Sequence, residues 1–353
     1  MINTEFYQEV FDCFILNEQV IFFNHSEFIL QNVNNNLKIE NLSQCRYLRY
    51  RNYLNLIQLG KIEVLDSSFD ILFTIENELI RSDGSSIFYF DENNFFIENN
   101  FYDKLNRKLV TSCIITLKSK SVTQVGFFGK VLNENFRLNF ASETISNPLT
   151  FRCSNLLDTE TYWEFDCAEG EQVRGSFTVY GEKLLFYTFS EPTPYDYHYW
   201  VNVIDLRSGE VLFKIPSRHV NCHFDKDSGL FVTVSGTIMN QQDYKIYEII
   251  NVNTGEQEVG DVICDDTFVT VGAAMQYIYN NRLYFIDNFI TIGGKKYCEN
   301  PKIGCFDFIK KELIYFKEIP KFKKKTVAQL ICNDNKIYIR TQHFELFVFE
   351  EEV

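Results

Sequence analysis

The sequence predicts an all-β protein: a β-propeller of about seven four-stranded blades, with six or eight left open, forming a single domain over residues 1–353. Three observations carry that prediction. A strand–turn–strand phrase, Ile204-Asp205-Leu206-Arg207-Ser208-Gly209-Glu210-Val211-Leu212-Phe213, recurs in degraded form at Phe165–Glu171, Ile250–Glu256 and Phe306–Glu312. Its turn glycines, Gly170, Gly209 and Gly255, are spaced 39 and 46 residues apart, a strand-only period typical of radially repeated sheets. Phe and Tyr, at 35 and 20 residues, dominate the aromatics, and both favour pleated, half-buried strands.

The C-terminal half parses into strands most readily. Val173–Val179, Leu184–Phe189, Trp200–Asp205 and Glu210–Ile215 make one unit. His219–Phe224, Leu230–Ser235, Tyr244–Ile250 and Glu256–Val259 make the next. Ala273–Ile278, Leu283–Ile286, Ile303–Phe308 and Glu312–Phe316 make a third. Turn formers such as Gly181-Glu182, Asn280-Asn281 and Asn333-Asp334-Asn335 separate first strands from second ones, because they tolerate the conformations that hairpins need. A fourth unit has only Thr326–Ile331, Lys336–Arg340 and Phe344–Phe349. An unpaired edge is costly, so residues near Ile2–Gln8 are expected to supply its outer strand and close the ring.

The N-terminal half follows the same grammar. Val10–Leu16, Val20–Phe23, Phe28–Val33 and Leu37–Glu40 form one candidate unit, and Tyr47–Tyr50, Tyr53–Gln58, Lys61–Leu65 and Ile71–Ile75 another. Between residues 79 and 160 the strands Ser86–Phe90, Val110–Leu117 and Phe136–Phe140 are visible, but their pairing is not.

The net charge of −14 implies a surface that repels nucleic acid and anionic lipid and attracts basic proteins. The start, Met1-Ile2-Asn3-Thr4-Glu5-Phe6, lacks the basic opening of a signal peptide, and apolar runs such as Val20–Phe23 are too short to span a bilayer. Ten cysteines occur with no Cys-x-x-Cys pair. The expectation is a reduced, cytoplasmic, monomeric protein without membrane contact. The sequons at Asn24 and Asn41 are then chance matches.

The phrases Tyr162-Trp163-Glu164-Phe165-Asp166, Val203–Glu210 and Val179-Tyr180-Gly181-Glu182-Lys183-Leu184-Leu185-Phe186 resemble the repeats of quinoprotein-like propellers. In those repeats a strand ends in Asp, a Thr/Ser-Gly turn follows, and Gly-Asp/Glu-Arg/Lys precedes a later strand. The resemblance covers residues 162–349 and implies the scaffold. The exported quinone enzymes of that superfamily often carry a vicinal disulfide, which this chain lacks, so no cofactor is expected. A looser likeness of composition is to bacterial immunity proteins that neutralise a toxin.

No sequence signature of catalysis is present. Gly-x-Ser-x-Gly, Ser-x-x-Lys, Gly-x-Gly-x-x-Gly and Walker A patterns are absent. On a strand His219 and His223 point the same way, which makes them candidates to line the central channel, with Cys222 pointing oppositely. No third ligand is visible, so no metal is expected. Asp225-Lys226-Asp227-Ser228-Gly229 opens like a calcium loop, but position 12 of that loop is Gly236 in place of the bidentate Glu, so a plain turn is predicted. Asp265 and Asp266 are neighbours whose side chains diverge on a strand, which suits a solvated turn better than a catalytic pair.

The partner-binding candidates come from the connections between second and third strands. These read as long loops over Ser190–Tyr199, Gly236–Asp243 and Asp287–Lys302 on one elaborated face. The first carries Tyr195, Asp196, Tyr197, His198 and Tyr199 behind Pro192 and Pro194, rigid aromatics of the kind that dominate binding energy. The same face is expected to hold a basic patch of Lys295, Lys296, Lys321, Lys323, Lys324 and Lys325. The functional expectation is a non-catalytic binding protein, most specifically an immunity or inhibitor protein that blocks a basic toxin or enzyme. The alternatives are an enzyme or small-molecule binder with a site at the channel mouth near His219, His223 and Asp287, and a scaffold subunit of a larger complex.

Overall fold

The computed structural model describes residues 2–24, 27–30, 36–38, 46–50, 53–78, 80, 85–89, 94–99, 102–103, 108–109, 112–116, 121–125, 129–133, 135–140, 150–155, 159–193, 196–218, 222–239, 242–263, 271–287, 290–292, 295–297, 301–319, 322, 325 and 327–351. Every regular element among them is a strand. Strand β1 (Ile2–Tyr7) is followed by a sheet of β2 (Asp12–Leu16), β3 (Gln19–Phe23), β4 (Glu27–Leu30) and β5 (Asn36–Lys38). The next sheet is β6 (Arg46–Tyr50), β7 (Tyr53–Gln58), β8 (Lys61–Leu65) and β9 (Ile71–Glu76). In the following sheet β10 (Ser85–Tyr89) and β11 (Asn94–Asn99) pair on to β14 (Ser112–Thr116) and β15 (Ser121–Val125), with β12 (Tyr102–Asp103) and β13 (Lys108–Leu109) as a side hairpin. Then come β16 (Gly129–Val131), β17 (Arg137–Phe140), β18 (Thr150–Ser154) and β19 (Thr161–Asp166), and after them β20 (Glu171–Tyr180), β21 (Lys183–Thr193), β22 (Asp196–Asp205) and β23 (Val211–Ser217).

The next sheet holds β24 (His223–Asp225), β25 (Leu230–Met239), β26 (Gln242–Asn251) and β27 (Gln257–Asp261). Another is built from β28 (Val271–Tyr279), β29 (Arg282–Asp287), β32 (Lys302–Asp307) and β33 (Glu312–Glu318), with a side hairpin of β30 (Ile290–Ile292) and β31 (Lys295–Tyr297). Finally β34 (Val327–Asn333), β35 (Lys336–Thr341) and β36 (Leu346–Glu350) pair antiparallel, and β1 adds to β36 as the fourth strand. That makes eight four-stranded sheets among the described residues, one of the counts the sequence left open. Two of them, β10-β11-β14-β15 and β16-β17-β18-β19, cover the stretch 79–160 whose pairing the sequence did not reveal.

Contacts divide the chain into two compact units, one of residues 1–34 with 218–353 and the other of residues 35–217. Within the second unit, Leu138, Phe151, Cys153 and Trp163 pack face to face against Val173, Leu184, Phe186 and Ile204 of the next sheet. Within the first unit, three further cores join consecutive sheets in the same way. Leu184, Leu185, Phe186 and Tyr187 of β21 are all buried and read as an unbroken apolar run.

The repeated phrase folds as one turn. Asp205 Oδ1 accepts from the backbone N–H of Arg207 (3.0 Å) and Ser208 (2.7 Å) and from Ser208 Oγ (3.0 Å), and Gly209 follows at φ +74. Asp307 accepts likewise from the backbone N–H of Ile309 and Lys310, and Asn251 Oδ1 accepts from that of Asn253. These donors, Ser208 first, hold the Asp205 carboxyl below its ordinary range. A depressed folded-state value contributes stability above the unfolded pKa, about 3.9, that is lost as pH falls through the folded one. Asp205→Ala is therefore expected to cost about 1 kcal/mol at pH 7 in urea unfolding, with the difference shrinking toward pH 2.

Sheets are also cross-stitched. The Gln329 amide on β34 donates to the Cys13 carbonyl (2.7 Å) and accepts from the Cys13 N–H (3.3 Å) on β2, so one side chain imitates a strand pairing between two sheets.

Candidate binding site

The residues with the clearest capacity to bind sit where β21 and β22 outgrow their sheet. Pairing with β20 ends at Glu171↔Ser190, and pairing with β23 ends at Tyr199↔Ser217. Beyond those points the two strands continue alone to Thr193↔Asp196. The expected loop Ser190–Tyr199 is largely strand: Ser190–Thr193 ends β21 and Asp196–Tyr199 opens β22, paired with an irregularity between Ser190 and Thr193. The connection Gly236–Asp243 is corrected likewise, since β25 and β26 stay paired out to Met239↔Gln242. In both cases the ladder extends past the sheet edge because antiparallel pairing needs only its partner strand, so a break in neighbouring strands does not force a loop.

Alternation gives the hairpin two distinct faces. On one, the rings of Tyr197 and Tyr199 stack 6.2 Å apart at 15°, and Phe189 lies 6.4 Å from Tyr199 across the strands. The Arg174 guanidinium covers this row, 5.3 Å from the Phe189 centroid and 5.8 Å from that of Tyr199. On the other face His198 packs edge-on to Trp200, and Lys214 sits 5.0 Å over the Trp200 ring while pairing with buried Glu171 at 2.5 Å. His198 Nε2 lies 3.2 Å from Asp196 Oδ1. Tyr197 and His198 are exposed, and Tyr199 and Trp200 half-buried. The Glu191 carboxylate raises the Tyr197 phenol, which keeps the hydroxyl a donor. Rings held this way present area at low entropic cost, and each exposed cation–π contact adds about 0.5–1 kcal/mol.

The other sequence candidates are scattered. Tyr195 and Pro194, His219, and Lys321, Lys323 and Lys324 lie outside the described residues. Lys295 and Lys296 fall on β31, paired to Ile292 and Thr291, so this stretch of Asp287–Lys302 is a small hairpin. Lys325 forms an ion pair with Glu345 at 2.5 Å and lies 5.1 Å over Phe347. His223 opens β24 opposite Val232 and is half-buried. Beside it, Cys222 Sγ lies 3.9 Å from the Oε2 of buried Glu248. Asp225 folds a plain turn, accepting from the Ser228 N–H at 3.2 Å. Among the described residues no three His, Cys, Asp or Glu side chains gather as a metal site. Sequence reading missed Arg174, Phe189, Trp200 and Lys214; the alternation of 197 with 199 and of 198 with 200 was the available signal, had the stretch been read as strand.

No family model and no curated protein matches this chain. Among solved structures it is similar to the Dos1 propeller, with a TM-score of 0.52 and 8% identity over 99% of this chain and 95% of the other. The fold is that of a β-propeller. The propeller also resembles BamB from Moraxella catarrhalis, with a TM-score of 0.49 and 11% identity over 99% of each chain. The Neurospora crassa Pan2 WD40 domain gives 0.45 and 8% identity over 98% of this chain and 90% of that one. At such identities what the propeller shares with these chains is the fold.

Proposed function

We propose that this chain is a non-catalytic, protein-binding propeller that grips a basic partner with the β21–β22 hairpin, most specifically as an inhibitor of the immunity type. The observation that carries the reading is the aromatic row Phe189–Tyr199–Tyr197, braced by Arg174 and preorganised on a paired backbone. Aromatic anchors on a rigid hairpin supply affinity, and a net charge of −14 supplies steering toward cationic surfaces. Burial pushes the thiols of Cys153 and Cys305 up to about 12, so neither is a candidate nucleophile.

The test is co-purification from the source cells with wild type and with Tyr197→Ala/Tyr199→Ala side by side. We expect one basic protein at stoichiometric yield with wild type and at least a hundredfold weaker binding with the double variant. Both side chains stand at or near the surface, so unfolding free energy should stay within about 1 kcal/mol. Equal recovery by both proteins, or no basic partner at all, would overturn the proposal.

A further inference from the structure

The turn after β32 breaks the rule that its sister turns keep. Gly170, Gly209 and Gly255 occupy the left-handed position at φ +77, +74 and +76, where only glycine is free of strain. The corresponding residue here is Lys311, held at φ +61. A strained residue retained in a copied turn points to a use for its side chain. That side chain reaches Glu258 on β27, Nζ to Oε2 at 2.6 Å. The contact closes one side of a groove of about 500 Å3 between two neighbouring sheets of the same unit. Its floor is Leu230, Ile249 and Phe308, and Glu256 and Glu258 stand at its wall. Tyr247 Oη also donates to Glu258 at 2.9 Å. The Lys311 ammonium first, and the Tyr247 hydroxyl second, hold the Glu258 carboxyl below its ordinary range.

The geometry points to this groove as the seat for an arginine side chain on an extended segment of a basic protein, with Lys311 as a resident plug. The chain's own ammonium already sits where the guanidinium would bind, so the position is shown to accept a cation. The two carboxylates outnumber the one lysine, leaving the wall net acidic. The apolar floor suits an arginine stem, and a guanidinium takes a carboxylate in a two-pronged bond that an ammonium does not form. Among the described residues no strand pairs with the outer edge of β27, so its backbone is open to an added strand. The inference rests on the proposed basic partner but uses a different surface from the aromatic hairpin.

The test uses the purified full chain and the probe peptide acetyl-Val-Arg-Val-Arg-Val-amide, followed by NMR or fluorescence titration. Lys311→Gly removes the plug and relieves the backbone strain, so this variant keeps the fold; it should bind the probe about three- to fivefold tighter than wild type. Glu258→Gln should bind it about three- to fivefold weaker. The citrulline version of the peptide should bind no variant. Tyr197→Ala/Tyr199→Ala should bind the probe as wild type does, so failure of the groove and failure of the hairpin reading are separately visible. Indifference to both Lys311→Gly and Glu258→Gln would overturn the inference. So would acetyl-arginine methylamide binding as tightly as the peptide, which would assign the groove to a small cation.

Discussion

Gly209→Ala is expected to destabilise the protein by about 2–4 kcal/mol, the sum of a left-handed backbone penalty of about 1–2 and an overpacking cost of about 1–3 that partial relaxation reduces. A methyl group at this position would lie 2.6 Å from Trp163 Cγ, 2.7 Å from Cδ2 and 2.8 Å from Cβ. Trp163 cannot retreat easily. Its Nε1 donates to the Leu206 carbonyl at 2.9 Å, and its ring is packed edge-on to Phe151. The turn of one sheet is thus seated on the outer strand of the sheet before it. Gly181→Ala is the internal control: Gly181 is also left-handed, at φ +57, but nothing lies within 4 Å of an added methyl. It should lose only the backbone part, about 1–2 kcal/mol. Urea unfolding of the two variants decides the matter, since equal losses would mean that the Trp163 contact carries no energy.

Deleting residues 1–8 should cost more, on the order of 4 kcal/mol or above, and should promote aggregation. The deletion removes β1 from the edge of β36, where the register runs from Ile2↔Glu350 to Tyr7↔Leu346. It also removes the ring contacts Phe6–Phe347 and Tyr7–Phe22, each at 4.8 Å, and the Glu5–Lys336 ion pair at 3.1 Å. Phe6 is exposed and Tyr7 half-buried, so the larger loss comes from the strand itself, whose removal bares an apolar edge of Leu346, Phe347, Val348 and Phe349. A synthetic peptide of residues 1–9 added in trans should restore the melting temperature of the truncated chain. An unchanged melting temperature after truncation would show that the added strand is dispensable.

Local signals in the sequence were readable where their cause is local. Asp205 and Asp307 announce turns because their side chains bond the backbone two and three residues on, and Asn251 because its side chain bonds the backbone two residues on, whatever surrounds them. Strand β1 was readable for a different reason: a last unit with three strands demands a fourth, and the opening residues were the spare strand. The sheets of residues 79–160 were not readable, because their strands pair with near neighbours along the chain without a turn signature of the Asp205 kind to mark where one ends and the next begins. The projecting hairpins were misread as loops because prolines and glycines signal a break, while antiparallel pairing tolerates them at an unpaired edge.

The candidate sites divide along the same line. The sequence by itself determined the strand-only repeat, the turn chemistry, the acidic surface and the aromatic stretch 196–199, since each is a property of neighbouring residues or of composition. Only the tertiary structure decided that Arg174 and Phe189 join Tyr197 and Tyr199 on one face, and that Lys311 meets Glu258 from another sheet. Those contacts bring together residues from 10 (Phe189 and Tyr199) to 53 (Glu258 and Lys311) positions apart, and sheet packing, a sum of many weak burials, is what sets them side by side.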